Sequence, residues 1–332
     1  MTVYEKLIHN LNDANFNDKA IELFNYQAEH NALYKKYLRL LGERSQNIQS
    51  INEIACLPVE LFKHHKINTF FESEAANTTS LIFKSSGTTQ SKRSTHYVQQ
   101  AHIYNQVLLK GFESFYGAAK NYCYLALLPS YLENKESSLI YMVEQLMQQS
   151  KHPLNNFYLY NYKDLANALK KLESEQQPTI LIGVTFALLD FATQYQIPLK
   201  HTTIIETGGM KGRRKEMIRA EVHQLLKAAF GQNQIHSEYG MTELLSQSYA
   251  LIADHFQPIF TKKIIIKDLY DPFKVVENGA TGCINVIDLA NIHSCAFIQT
   301  ADIGRLHNDG SFDVLGRIDN SDIRGCNLMA EL

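Results

Sequence analysis

The sequence lacks the features of several broad classes of protein. Its 332 residues carry 32 Lys and Arg against 34 Asp and Glu, a net charge of -2, so no basic field is available to attract nucleic acid or anionic lipid. No apolar run approaches the ~20 residues of a membrane-spanning helix, and the N-terminus lacks the basic and apolar regions of a secretory signal. We therefore expect a cytoplasmic protein whose partners are small molecules or another protein.

Missing motifs exclude further classes. The five cysteines are an odd number without Cys-x-x-Cys spacing, which argues against a disulfide framework and against a zinc site. The sequence also lacks the Gly-x-Ser-x-Gly elbow of α/β-hydrolases and the Gly-x-Gly-x-x-Gly turn of dinucleotide-binding folds. Hydrolase and dehydrogenase interpretations are therefore set aside.

Hydrophobic periodicity predicts an α/β protein. With 45% hydrophobic residues the chain can bury a substantial core. Helical spacing predicts a helical region over residues 1–50, and alternating strand and helix patterns over 51–255 predict a mostly parallel sheet flanked by helices. Short β runs joined by Asn-Gly and Asp-Gly turns predict a smaller β subdomain over 256–332. The helices of the central region are predicted at 95–117, 137–149, 162–174 and 213–230.

The first chemical motif is a Ser/Gly/Thr loop after a predicted strand at residues 80–84. Its members, with a Lys shortly after them, are Ser85, Ser86, Gly87, Thr88, Thr89 and Lys92. The phosphate chain of ATP needs many hydrogen-bond donors at short range, and Gly permits the close backbone approach that brings them together. An isolated string of this kind is more often a solvated turn, so its interpretation depends on the motifs that follow.

The second motif is Tyr239-Gly240-Met241-Thr242-Glu243, which follows a strand predicted at residues 234–237. Tyr offers a flat apolar surface, Thr a hydroxyl donor and Glu a carboxylate for a hard cation. A cation held by such a carboxylate can cancel negative charge where anionic groups meet. The alternative is a strand end followed by a turn with an exposed Glu.

Three further strings carry groups that could bind a ligand. Thr300-Ala301-Asp302-Ile303-Gly304 supplies a carboxylate that can accept hydrogen bonds from a vicinal diol, and Gly316-Arg317-Ile318-Asp319 follows it. Thr207-Gly208-Gly209 lies between a predicted strand and a predicted helix, where free N–H groups can meet an anion. This glycine turn is explained equally well as a tight connection.

In this order the motifs resemble the signatures of the acyl-adenylate-forming superfamily, the acyl-CoA ligases, luciferase and peptide-synthetase adenylation domains. The resemblance implies a large N-terminal α/β domain, ATP and Mg²⁺ as cofactors, and phosphate contacts from the Ser/Gly/Thr loop. Gln90 and Ser91 replace a Gly and a Pro of that loop in the family. The other implied roles are adenine contact by Tyr239, α-phosphate contact by Thr242, Mg²⁺ coordination by Glu243, and ribose contact by Asp302 and Arg317.

Only 13 residues follow Asp319, and the resemblance therefore implies that the small C-terminal lid domain is absent. This is similar to the short acyl-protein synthetases of the LuxE family. There a Cys near the C-terminus takes the acyl group from the adenylate and passes it to a fatty-acyl reductase, and Cys326 in Arg324-Gly325-Cys326 matches it. We expect a carboxylic acid substrate of the fatty class, acyl transfer to such a partner protein, and core positions for the other four cysteines.

Two other interpretations stay open. One is an acyl- or aryl-CoA ligase-like enzyme with an external acceptor, and the other is a non-catalytic nucleotide-binding subunit of a reductase complex. Turnover of an acid distinguishes the two enzymes, the acyl-protein synthetase and the CoA ligase-like enzyme, from the non-catalytic subunit, which turns over none. The sequence does not distinguish alkyl from aryl acids.

Overall fold

The computed structural model describes residues 8, 10–42, 47–69, 81–86, 92–128, 136–208, 217–252 and 255–318. The chain divides into two compact units that alternate along the sequence. The first unit comprises Met1–Val107, Met241–Ser246 and Gln257–Leu332, and the second comprises Leu108–Gly240 and Gln247–Phe256. The predicted division near residues 50 and 255 concerns consecutive segments of the chain and stays a prediction.

The helices and strands alternate through the middle of the chain as an α/β protein requires. The helices are α1 (Phe16–His30), α2 (Ala32–Leu41), α3 (Ala101–Tyr116), α4 (Ser138–Ser150), α5 (Tyr162–Ser174), α6 (Thr185–Gln194) and α7 (Arg219–Phe230). The first eight strands are β1 (Leu57–Pro58), β2 (Leu81–Lys84), β3 (Thr95–Val98), β4 (Cys123–Leu127), β5 (Asn156–Tyr158), β6 (Thr179–Val184), β7 (Thr202–Thr207) and β8 (His236–Tyr239). The others are β9 (Ser248–Ala250), β10 (Gln257–Pro258), β11 (Lys262–Lys267), β12 (Thr281–Asp288), β13 (Phe297–Leu306) and β14 (Phe312–Arg317).

The first unit contains an antiparallel sheet and a separate hairpin. The sheet has the order β1-β13-β12-β11, with β14 paired to β13, and only β1 runs parallel to its neighbour. The Asp309-Gly310 turn joins β13 to β14, and Gly310 has φ 83°, a conformation that favours glycine. The hairpin consists of β2 and β3. Both α1 and α2 belong to this unit and occupy the predicted helical region.

The second unit contains a mostly parallel sheet with the order β9-β8-β7-β6-β4-β5. Strands β4 to β8 run parallel, and β9 is antiparallel to β8. Every residue of β4 and of β6 is buried, which is the pattern of strands covered on both faces. The ends of β7 and β8 therefore bring Gly208 and Tyr239 to the same edge of the sheet.

The predicted fold class, α/β with a parallel sheet and a smaller β subdomain, is confirmed, whereas several boundaries are wrong. The helix predicted at 95–117 begins at Ala101, because residues 95–98 form a strand whose buried His96 and Val98 alternate with half-buried neighbours. The strand predicted at 234–237 lies two residues later. Helix α6 and strand β5 were not predicted. Among the described residues, no helix combines the length and apolarity needed to cross a membrane.

Candidate active site

The ends of the predicted phosphate loop are held together by paired serines. Ser85, which follows β2, donates its N–H to the carbonyl of Ser94 at 3.0 Å, and the N–H of Ser94 donates to the hydroxyl of Ser85 at 3.0 Å. Ser86 and Lys92 are exposed on either side of the loop. The other loop residues predicted to bind phosphate, Gly87, Thr88 and Thr89, lie outside the described residues. The hairpin therefore fixes the positions of the residues on either side of the loop.

Glu243, the predicted metal ligand, is a buried carboxylate in the first unit. Only 4% of the residue is exposed, and burial raises the pKa of its carboxyl group. A hydrogen bond from the hydroxyl of Ser94 and the positive charge of Arg317 oppose that rise. Carboxylate and hydroxyl oxygens are the groups that Mg²⁺ takes as ligands, so the donor chemistry here fits that ion.

Thr242 and Glu243 are the central residues of a tight turn, closed by a hydrogen bond from the N–H of Leu244 to the carbonyl of Met241 at 3.2 Å. The carbonyl of Thr242 is 2.9 Å from Nδ1 of His96. The carbonyl of Glu243 accepts a hydrogen bond from Nδ2 of Asn291 at 2.8 Å. Side chains from β3 and from the turn after β12 thus hold two consecutive carbonyls of the motif; we name residues 241–244 the Glu243 turn.

The segment after the Glu243 turn is anchored by Asp288 at the end of β12. Its carboxylate accepts four hydrogen bonds. Three come from the N–H groups of Leu245 at 2.7 Å, Ser246 at 3.0 Å and Ala290 at 3.1 Å, and the fourth comes from the hydroxyl of Ser246. The residue is fully buried, which raises its pKa, while these hydrogen bonds and the charge of Lys262 oppose the rise. Asp288 therefore fixes the direction in which the chain leaves the motif.

The two residues predicted to contact ribose are cross-strand partners. Asp302 on β13 lies opposite Arg317 on β14, and Nε of Arg317 donates to the Asp302 carboxylate at 3.1 Å. Asp302 is 6% exposed, whereas 73% of the Arg317 side chain is exposed. An ion pair with one exposed partner contributes little to stability, so its interest lies in the position of the two groups.

Together these contacts bring four separate motifs into one cluster of the first unit. Ser94 belongs to the hairpin of the phosphate loop, Glu243 to the second motif, Asp302 to the third and Arg317 to the Gly-Arg string. The charge of Arg317 acts on Glu243, and its guanidinium group contacts Asp302. Residues separated by more than 200 positions in the chain therefore meet in one place. Their roles toward a ligand stay predictions.

In the second unit, Gly208 follows β7 in a left-handed conformation with φ 78°. Its carbonyl accepts the hydroxyl of Thr185 at 2.6 Å, and the same hydroxyl contacts the carboxylate of Glu206. Glu206 also accepts the hydroxyl of Ser237 at 3.1 Å. Gly209 lies outside the described residues. The glycine turn is thus tied to the buried polar ends of its own sheet.

Tyr239 ends β8 in the second unit with only 8% of its surface exposed. Its ring centroid is 5.8 Å from that of Phe256, over which the guanidinium carbon of Arg219 lies at 4.8 Å. A Cβ atom at Gly240 would come within 2.5 Å of Oε1 of Glu238, whose other carboxylate oxygen accepts the hydroxyl of Thr207. Any larger residue at position 240 would therefore require the Glu238 carboxylate to move.

The predicted acyl acceptor, Cys326, lies outside the described residues. The other four cysteines, Cys56, Cys123, Cys283 and Cys295, are buried, as expected for core positions. Burial raises the pKa of Cys56 to about 11 and that of Cys123 to about 12. Thiols with such values stay protonated near neutral pH and are poor nucleophiles.

Sequence reasoning missed the residues that support the motifs: Ser94, His96, Asp288 and Asn291. Each is a polar residue in a strand or within three residues of one, and each is at least 95% buried. Buried polar side chains are nearly always hydrogen-bonded, so this pattern is the signal that could have found them. The sequence alone does not say which backbone groups they serve.

Comparison with solved structures defines the class of the fold. The ATP-bound MatB of Rhodopseudomonas palustris matches with a TM-score of 0.54 and 14% identity over 71% of this chain and 47% of that one. The O-succinylbenzoate coenzyme A synthetase of Bacillus subtilis, in complex with ATP and magnesium, matches with a TM-score of 0.51 and 19% identity over 74% of this chain and 51% of that one. The chain spans about half the length of these structures, and its fold is that of the acyl-adenylate-forming enzymes.

Sequence comparison identifies the family. The sequence model of the acyl-protein synthetases, LuxE, matches residues 134–331, and the chain belongs to this family. The long-chain-fatty-acid–luciferin-component ligase of Aliivibrio fischeri is 23% identical over 306 residues, which cover 86% of this chain and 78% of that protein. Family and fold together support a ligase that activates an acid.

Proposed function

We propose that this protein uses ATP to activate a carboxylic acid of the fatty class and then transfers the acyl group to a protein thiol. The observation that carries the proposal is the cluster of Ser94, Glu243, Asp302 and Arg317 in the first unit. Phosphate, metal and ribose groups of one nucleotide require hydroxyl, carboxylate and guanidinium partners of these kinds. The family and the name of the A. fischeri relative favour a fatty acid.

The proposed roles follow the predicted motifs. The phosphates are bound by the loop and the Lys that follows it: Ser85, Ser86, Gly87, Thr88, Thr89 and Lys92. The adenine and the acid are contacted by Gly208, Gly209, Tyr239 and Gly240. The α-phosphate is bound by Thr242, and the ribose by Asp302 and Arg317. Glu243 holds Mg²⁺, which when bound cancels charge on the phosphates. A cation attracts a buried carboxylate such as Glu243 more strongly than it attracts an exposed carboxylate, because less water screens the two charges.

The chemistry has two balanced steps. In the first, a carboxylate oxygen of the acid attacks the α-phosphorus, the bond to the bridging oxygen breaks, and pyrophosphate leaves with the electron pair. In the second, a thiolate attacks the acyl carbon of the adenylate, a thioester forms, and AMP leaves. Positioning and charge stabilisation supply most of the catalysis in phosphoryl-group chemistry of this kind. A fatty-acyl reductase is the proposed final acceptor.

The first step is tested by ATP–pyrophosphate exchange over a panel of fatty acids of increasing length and several aryl acids. We expect exchange that depends on Mg²⁺ and on one class of acid. Because exchange requires only the adenylate, it does not depend on the identity of the acceptor. A chain that binds ATP but exchanges with none of the acids would instead be a non-catalytic nucleotide-binding subunit.

The second step is tested at Cys326. After incubation with ATP and the active acid, we expect the intact chain to gain one acyl mass that hydroxylamine removes, since hydroxylamine cleaves thioesters. The Cys326→Ala variant should keep exchange and lose the adduct, while Cys123→Ala, at a buried thiol, should keep both. An adduct that persists in Cys326→Ala, or acyl groups found on coenzyme A, would contradict the assignment.

A further inference from the structure

The Glu243 turn is supported by two buried side chains, His96 and Asn291, and both residues line the same small cavity. His96 and Asn291 are each 1% exposed, and they hold the carbonyls of Thr242 and Glu243. Nε2 of His96 and Oδ1 of Asn291 have no hydrogen-bond partner among the described residues. Buried polar atoms without partners cost free energy, so a group that satisfies both at once would stabilise the turn.

The protonation of His96 follows from its partner. The carbonyl of Thr242 can only accept a hydrogen bond, so Nδ1 must carry the proton. Burial lowers the pKa of the ring to about 4, which keeps it neutral near pH 7 and leaves Nε2 as an acceptor. Asn291 donates from Nδ2 to Glu243, and its Oδ1 is therefore also an acceptor. Two of the residues that line the cavity thus each carry a hydrogen-bond acceptor.

The third polar group is the hydroxyl of Ser294, which is buried and likewise has no partner among the described residues. His96, Asn291 and Ser294 all line a cavity of about 10 Å³, close to the space that one water molecule needs. A water molecule donates two hydrogen bonds and accepts others. It therefore matches two acceptors and one hydroxyl donor in number and in type.

We propose that His96 and Asn291 are positioning residues for Glu243, joined by a single water molecule that Ser294 also binds. The inference rests on the proposed function, in which Glu243 is the ligand of Mg²⁺. Neither side chain reaches the reacting groups: each acts on a backbone carbonyl of the Glu243 turn. Groups that orient a metal ligand typically change metal affinity by about 10- to 100-fold when they are removed.

The test separates the two ends of the His96 ring. An Asn side chain places an amide near the position of Nδ1, whereas a Gln side chain places it near Nε2. In the presence of ATP, we expect His96→Gln and Asn291→Ala to weaken Mn²⁺ binding, measured by electron paramagnetic resonance, by about tenfold or more. His96→Asn should stay within about threefold of the wild type, because the bond to Thr242 is rescued.

A matched control is Asn155→Ala in the second unit, since Asn155 also serves two backbone groups, those of Tyr124 and Met147. It should lose stability without loss of Mn²⁺ affinity. Equal Mn²⁺ affinity in the wild type, His96→Gln and Asn291→Ala would overturn the proposal, and so would a His96→Asn variant as weak as His96→Gln. Urea unfolding of each variant reports any general loss of structure.

A crystal structure of the nucleotide-free wild type decides the geometry independently of any activity. We expect a water within hydrogen-bond distance of Nε2 of His96 and Oδ1 of Asn291. A His96 ring turned away from Thr242, or a cavity closed by side chains, would overturn the inference even in a chain that activates an acid. A wild type that shows this water but neither exchanges nor binds Mn²⁺ would contradict the proposed function alone.

Discussion

Glu243→Gln should reduce ATP–pyrophosphate exchange by about a hundredfold or more, the largest loss expected of any single substitution in the site. Loss of a group that only orients a metal ligand costs about 10- to 100-fold in affinity, and loss of the ligand itself should cost at least as much. Gln keeps the shape and one acceptor oxygen but has no charge to offer Mg²⁺. The measurement is the exchange rate as a function of Mg²⁺ concentration.

Glu60→Gln is the matched control for this variant. The charge of Glu60 acts on Glu243, yet its side chain is about half exposed and forms an ion pair with Lys63 at 2.5 Å. Removing it changes the local charge without removing the proposed ligand, so exchange should change by less than about threefold, as for an exposed charge. If both variants exchanged at the wild-type rate, the metal role of Glu243 would be wrong.

The same Glu243→Gln variant should be more stable than the wild type at neutral pH when metal and nucleotide are absent. Burial raises the pKa of Glu243 in the folded chain above its ordinary value of 4.5. As the pH rises above that value the unfolded chain ionises first, so the free energy of unfolding falls until the folded carboxyl ionises as well. The Glu243→Gln variant does not show this fall in the free energy of unfolding, because Gln does not ionise. The difference between the two urea unfolding curves should therefore grow from acid to neutral pH.

How much of the fold could be predicted depended on the length of each pattern. Strands β4, β6 and β7 are apolar runs in a parallel sheet. The sequence predicts strands at 122–128, 179–183 and 203–206, which agree with them to within about one residue at each end. Strand β3 was missed because its four residues lie just before α3, so their apolar spacing was assigned to the predicted helix at 95–117. Long-range pairing with β2, which no local pattern contains, decides its conformation.

The site shows the same division between local and distant information. Glu243, Asp302 and Arg317 were predicted because short motifs carry them, and their meeting in the first unit is consistent with a shared ligand. The partners of the residues that support them could not be predicted, because Asp288, Asn291 and His96 each act on a backbone group more than 40 positions away. A hydrogen bond to a backbone atom places no demand on the residue type of its partner, and so leaves no motif.

Asp288→Ala should cause the largest loss of stability, about 3–5 kcal/mol in the free energy of unfolding, as expected when one member of a buried charged network is removed. The carboxylate serves Leu245, Ser246 and Ala290, and Lys262 lies near enough for its charge to act on Asp288. Alanine leaves these donors without their acceptor and removes the negative charge near the buried Lys262, which keeps its hydrogen bond to the carbonyl of Ser246. Urea denaturation at neutral pH measures the loss, and a change below about 1 kcal/mol would contradict the prediction.

Asp309→Ala is the control, because Asp309 also accepts hydrogen bonds in a turn, from Ser311, but is exposed to solvent. Its midpoint of unfolding should change little.

Asp288 contacts residues 245 and 246 rather than the Glu243 turn, whereas Asn291 contacts Glu243 itself. We therefore expect the two variants to rank in opposite order in two measurements. In urea unfolding, Asp288→Ala should lose more stability than Asn291→Ala. In Mn²⁺ binding, Asn291→Ala should lose more affinity than Asp288→Ala for each kcal/mol of stability lost. The same order in both would mean that Asn291 acts only through general stability.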